Sequence, residues 1–210
     1  MHISEGYLSG PVLISGAALA VAGTALGLKK LDYDRIAQAG MLASAFFVAS
    51  LVHVPIGPTN AHLIMNGIVG LLLGWAAFPV IVVALLLQGI FFQFGGITTL
   101  GVNLIIMAGP AVSVYWIFGR LIARPGWIGY WAAFVSGAGA VALSALVMAA
   151  SLLFTDEQFF AVAGTTLLLH LPVMVIEGIV TAFCIGFLKK VKPELLPASR
   201  TQGALQRVKG

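Results

Sequence analysis

Apolar residues fill this chain in long continuous blocks separated by short polar links. Seven such stretches can be drawn, at about Gly10–Leu28, Ile36–Val54, Ala61–Trp75, Phe78–Phe94, Leu100–Ala123, Trp127–Phe154 and Phe159–Leu188. A membrane barrel would show strictly alternating segments of about ten residues. Unbroken runs of roughly twenty predict transmembrane helices instead. The third and fourth stretches are short, and Pro79 stands at the opening of the fourth. The last is long enough for Pro172 to break it into two pieces. The predicted fold is an all-α integral membrane protein, a bundle of seven transmembrane helices over residues 1–190 followed by a basic cytoplasmic tail, 191–210.

Composition agrees: 60% of residues are hydrophobic, 9% are charged and the mean hydropathy is +1.05, where soluble domains carry about 25% charged residues. Many of the 25 glycines lie inside apolar runs, where small residues let helices approach closely in lipid. The single cysteine, Cys184, excludes an intramolecular disulfide and a cysteine-based zinc site. All eleven basic residues fall in three groups: Lys29, Lys30 and Arg35; Arg120 and Arg124; and Lys189, Lys190, Lys192, Arg200, Arg207 and Lys209. With seven spans these groups share one side. The positive-inside rule then puts the N-terminus outside and the C-terminus in the cytoplasm of a cell inner-membrane protein. The basic tail is read as an anchor at anionic lipid headgroups of the bilayer, not as a nucleic-acid surface, for which there is no basic groove. Lys29 and Lys30 have the same reading, with Tyr33 as an interfacial anchor.

This topology gathers Met1, His2, His53 and His62 at the external end. No Lys or Arg precedes Lys29, so the chain opens without the basic region of a secretory leader, and Met1 is expected to be retained before the large His2. The Met1 amine, the His2 backbone nitrogen and the His2 imidazole can close two fused chelate rings on one ion. Three in-plane nitrogens suit Ni(II), Cu(II) or Co(II) and leave one position open. His62 follows the Pro-rich link 55–60, where Thr59 or Asn60 can cap the next helix. It is expected in the first turn of span three, either as the fourth ligand or as a structural histidine. His53 competes as an interfacial residue or a partner that fixes an imidazole tautomer. The link Gly95-Gly96-Ile97-Thr98-Thr99-Leu100-Gly101-Val102-Asn103 reads as a plain turn with a capping Thr, or as a loop under the site in which Gly95, Gly96, Thr98 and Asn103 position the terminus. His170 and Glu177, seven residues apart, share a helix face about 10 Å along its axis. They suit a packing or partner role, or a proton path completed by water. Ala45 and Ala49 form a small-residue pair that either packs within the chain or meets another membrane subunit. There is no nucleotide-binding loop and no H-E-x-x-H pattern, so ATP hydrolysis, if it drives transport, belongs to a separate chain.

Three motifs, Met1-His2-Ile3-x-Glu5-Gly6-Tyr7-Leu8, Pro55-Ile56-Gly57-Pro58-Thr59-x-x-His62 and Gly95-Gly96-Ile97-Thr98-Thr99-Leu100-Gly101-x-Asn103 with Met107-Ala108, give the chain its resemblance to the CbiM/NikM family. These are cobalt- and nickel-specific substrate-capture subunits of energy-coupling-factor transporters. The resemblance implies a six-helix capture core plus an extra N-terminal helix. It also implies metal ligation by the Met1 amine, the His2 backbone nitrogen and imidazole, and the His62 imidazole, with the Gly95–Asn103 loop nearby. The cargo would be Co(II) first and Ni(II) a close second, with no cofactor and no enzymatic activity of its own. Implied partners are a transmembrane coupling subunit, meeting Ala45 and Ala49, two ATP-binding-cassette ATPase subunits, and a small auxiliary membrane subunit. Ser4 and the wording before His62 depart from the common cobalt-type and nickel-type patterns, which bears on the metal and not on the family. The alternative is a stand-alone proton-coupled carrier using His170 and Glu177.

Overall fold

The computed structural model of the chain describes residues 2–51, 53–56 and 59–197. Helix α1, Gly10–Lys30, opens with Pro11 in its first turn, where a missing N–H costs nothing, and closes on Lys29 and Lys30, which suit the negative end of its dipole. A 3₁₀ turn at Tyr33–Arg35 leads into α2, Ile36–Ala49. Strands β1, His53–Ile56, and β2, Thr59–His62, pair antiparallel with His53 opposite His62. Six helices follow: α3, Asn66–Leu73; α4, Ala77–Phe92; α5, Leu100–Phe118; α6, Trp127–Leu153; α7, Phe160–Leu169; and α8, Leu171–Val191. Counting α3–α4 and α7–α8 as single runs, five helical runs among the described residues are long and apolar enough to cross a membrane. Apolar side chains face outward as well as inward (Ile14, Val21, Ile90, Phe160 and Phe183 are exposed), as helices bathed in lipid require.

Although α3 and α4 adjoin in sequence, they run in opposite directions. Asn66, Gly70 and Gly74 meet Met107, Ala111 and Tyr115 in matching steps of four, so α3 descends beside α5. At Gly74 (φ +59) the chain turns, close to the lower end of α1, where Gly27 lies against Trp75 and Pro79. Helix α4 then climbs back until Gln88 reaches His2, the residue that His62 also touches. One straight helix over Asn66–Phe92 would be about 40 Å long and could not bring both of its ends to the same imidazole.

Three boundaries differ from the sequence expectation. The second stretch is helical only to Ala49, not to Val54. The third was expected to be helical from Ala61, with His62 in its first turn; His62 instead ends β2, and α3 begins at Asn66 after a left-handed Met65 (φ 55). β-branched Val54, Ile56 and Thr59 and the two prolines favour extended backbone here over a helical turn. The fifth stretch is helical only to Phe118, not to Ala123. The last stretch breaks at His170, just ahead of Pro172 as expected, and the proline is tolerated in the first turn of α8.

Candidate metal site

Two imidazoles form the centre of the upper end. His2 is 1% exposed and His62 3%, and their rings stack with centroids 4.8 Å apart. His62 Nδ1 lies 2.7 Å from the Leu63 carbonyl oxygen. A carbonyl only accepts, so Nδ1 carries the proton and His62 Nε2 presents a lone pair. His2 Nε2 lies 2.7 Å from Gln88 Oε1; with Nε2–H donating there, His2 Nδ1 presents the second lone pair. The two nitrogens face each other at 3.1 Å. Two lone pairs so placed can bind one cation together, and each outer N–H is tied to an oxygen in the way that fixes ligand imidazoles. Burial, with His2 and His170 adding to it, holds His62 well below the usual histidine range, which keeps it neutral and available to a metal.

Several bonds hold the N-terminal segment in place. The Asn103 side chain accepts from Ile3 N through Oδ1 (2.8 Å) and donates to Ile3 O through Nδ2 (3.0 Å). Glu5 Oε1 accepts from Thr98 N (3.0 Å) and Thr98 Oγ1 (3.2 Å). Gly95 (φ +76) turns the loop in the left-handed region, where a side chain would be strained and would press on Asn103; a Cβ at Gly96 would collide with Glu5. Ser9 N donates to Thr155 Oγ1 at 3.3 Å. Thus α5, the α4–α5 loop and the α6–α7 link all hold the segment 3–9.

Met1 lies outside the described residues. His53 is the backbone partner of His62 in the ribbon. Ala45 and Ala49 are half-buried on α2 on either side of the fully buried Phe46. His170 and Glu177 share no hydrogen bond among the described residues. His170 Nδ1 donates to Thr166 O (2.7 Å), while Glu177 Oε1 accepts from Ile64 N and from Met65 N (2.8 Å), just beyond His62. Among the described residues no three His, Cys, Asp or Glu side chains gather into a metal cluster; the described side chains that meet here include the imidazoles of His2 and His62. Gln88 and the Glu177 contact are missing from the sequence reading of the site. A lone amide in the otherwise apolar α4 is the signal for Gln88, since an intramembrane polar residue needs a partner.

A family model described as cobalt uptake substrate-specific transmembrane region, CbiM, matches residues 2–195. A Haemophilus influenzae relative is 42% identical over 203 residues, covering 93% of this chain and 97% of its own. The cobalt transport protein CbiM of Sorangium cellulosum is 32% identical, covering 93% and 94%. The fused nickel transport protein NikMN of Rhodobacter capsulatus is 36% identical, covering 99% of this chain and 67% of its own. A crystal structure of a transition metal transporter superposes with a TM-score of 0.79 at 27% identity, over 91% of this chain and 93% of that one.

Proposed function

The chain belongs to the CbiM family of cobalt and nickel transport membrane proteins, and from that premise we propose that it is the metal-capturing component of an ATP-driven importer, with Co(II) the first cargo and Ni(II) a close second. The observation that carries the reading is the 3.1 Å pair of facing lone pairs, His2 Nδ1 and His62 Nε2. Nδ1 is the His2 nitrogen that closes a six-membered ring with the His2 backbone nitrogen. The Met1 amine adds the fused five-membered ring, and His62 completes four nitrogens. Such a set suits late first-row divalent metals. The relatives include a cobalt transport protein and a nickel transport protein, which keeps both metals in view.

ATP hydrolysis resides in two separate ATPase subunits joined through a coupling subunit at Ala45 and Ala49, with a small auxiliary membrane subunit beside them. This chain carries no nucleotide-binding loop of its own. The opposed directions of α3 and α4 support seven crossings of an inner membrane, and the one-sided basic residues support an N-terminus outside. The capture domain is 1–190 and the tail 191–210.

One added residue before Met1 tests the ligand set. The first amine becomes an amide and the free amine moves away, so the fused rings on His2 no longer form with it, although every side chain remains. Metal binding by the extended chain, its mass verified, is expected to be abolished. Wild-type binding would eliminate the amine as a ligand.

A further inference from the structure

The two imidazoles are mounted on different parts of the fold. His2 is fixed by Gln88 of α4 and, through Ile3, by Asn103 of α5. Three residues outside any helix or strand, Leu63, Ile64 and Met65, link His62 to α3, and the backbone N–H groups of Ile64 and Met65 both donate to Glu177 Oε1 of α8. Met65 holds a left-handed backbone (φ 55), and α3 has neither a side-chain cap nor an acidic residue in its own first turn. The conformation that a non-glycine residue avoids is therefore maintained from a helix 112 residues away in sequence. Glu177 is itself buried, 1% exposed. Its helix is seated closely on α6, with Gly137 against Thr181 and Gly178 against Phe134, which gives the carboxylate a rigid base.

We propose that Glu177 is the positioning residue of the metal site: through Ile64 and Met65 it sets where His62 Nε2 stands relative to His2 Nδ1, without touching the metal. This rests on His62 being a ligand. A residue that acts through His62 has no effect once His62 is gone, whereas one that only supports the fold weakens binding with or without it.

The test is a double-variant cycle on the full chain in detergent micelles, titrated with Ni(II) and with Co(II) and read by calorimetry and by ligand-field absorption. Glu177→Ala is expected to lower affinity about 10–100-fold, the range for residues that orient ligands, and to shift the absorption band. Glu177→Gln keeps an oxygen acceptor at the same reach and loses less. Glu177→Ala with His62→Ala binds no worse than His62→Ala alone. Losses that multiply in the double variant would overturn the proposal, as would Glu177→Ala binding within about twofold of wild type while His62→Ala is impaired. Wild-type binding by His62→Ala would instead overturn the ligand role of His62, and the proposal with it. Should Glu177→Ala not yield monodisperse helical protein, Glu177→Gln takes its place in the cycle with the same expectation of non-additivity.

Discussion

At the scale of single residues, the site depends on where protons sit. His62 has one possible tautomer while Leu63 O accepts from Nδ1. The tautomer of His2 depends on Gln88, whose amide is fully buried. Gln88→Leu preserves bulk and apolarity in α4 but removes the acceptor, so the ring is free to carry its proton on the nitrogen that the metal needs. Affinity for Ni(II) is expected to fall about 10–100-fold, with little change in helical content. Gln88→Glu offers an acceptor in the same place and is expected to retain binding. Calorimetric titration of both variants separates this account from a packing role, in which the charged variant would be the worse of the two.

Among the elements, placement of the terminus rests on α1 packing closely against α5. Gly101 stands 2.6 Å, measured from an added Cβ, from the Cα of Ala17, so any side chain must push the two helices apart. Gly101→Val is expected to destabilise the chain by about 1–3 kcal/mol, as overpacking does, and also to weaken metal binding, because α1 carries His2 and Ile3 away from Gln88 and Asn103. Thermal unfolding and Ni(II) titration of the variant check the two effects together; a destabilised chain with unaltered affinity would uncouple α1 from the site. This close packing was only partly legible in the sequence. Glycines inside apolar runs indicate close helices but not which ones meet. The α1 and α6 boundaries and the start of α5 follow from hydropathy and proline placement, which are local. The ribbon at His53–His62 depends on pairing between two segments of mixed composition, and no local periodicity marks it. For the same reason the sequence placed His62 near the mouth of the bundle but in a helical turn. Gln88 was lost in the averaged hydropathy of α4, and the contact of Glu177 with Ile64 and Met65 spans a distance along the chain that no motif records.

The whole molecule is electrically polarised from end to end. Exposed Tyr33, Trp116, Trp127 and Trp131 lie near the basic groups at one end, where Lys189 Nζ sits over the Tyr130 ring at 5.2 Å and donates to Arg124 O at 2.9 Å, an arrangement typical of a membrane interface. At the other end Glu5 meets Thr98, Ser9 meets Thr155, and the Tyr7 ring meets Phe159 edge-on. Exposed Glu5, Asp156 and Glu157 therefore form an acidic rim at the end that holds the His2–His62 pair, and among the described residues the Lys and Arg lie away from it. A rim of one sign raises the local concentration of divalent cations and speeds their arrival, an effect that rises with charge and fades with salt. Glu5 also holds the α4–α5 loop, so Asp156 and Glu157 are the residues to neutralise. Asn at 156 remains able to cap the 3₁₀ turn through its side chain, as Asp156 does with Gln158 N at 2.8 Å. Asp156→Asn with Glu157→Gln is expected to slow Ni(II) capture several-fold at low ionic strength. The release rate should stay unchanged, and the difference from wild type should disappear near 1 M salt, where screening acts over about 3 Å. Stopped-flow measurement of capture across a salt series decides the matter: equal capture rates for the two chains at low salt would mean that the acidic rim does not guide the metal.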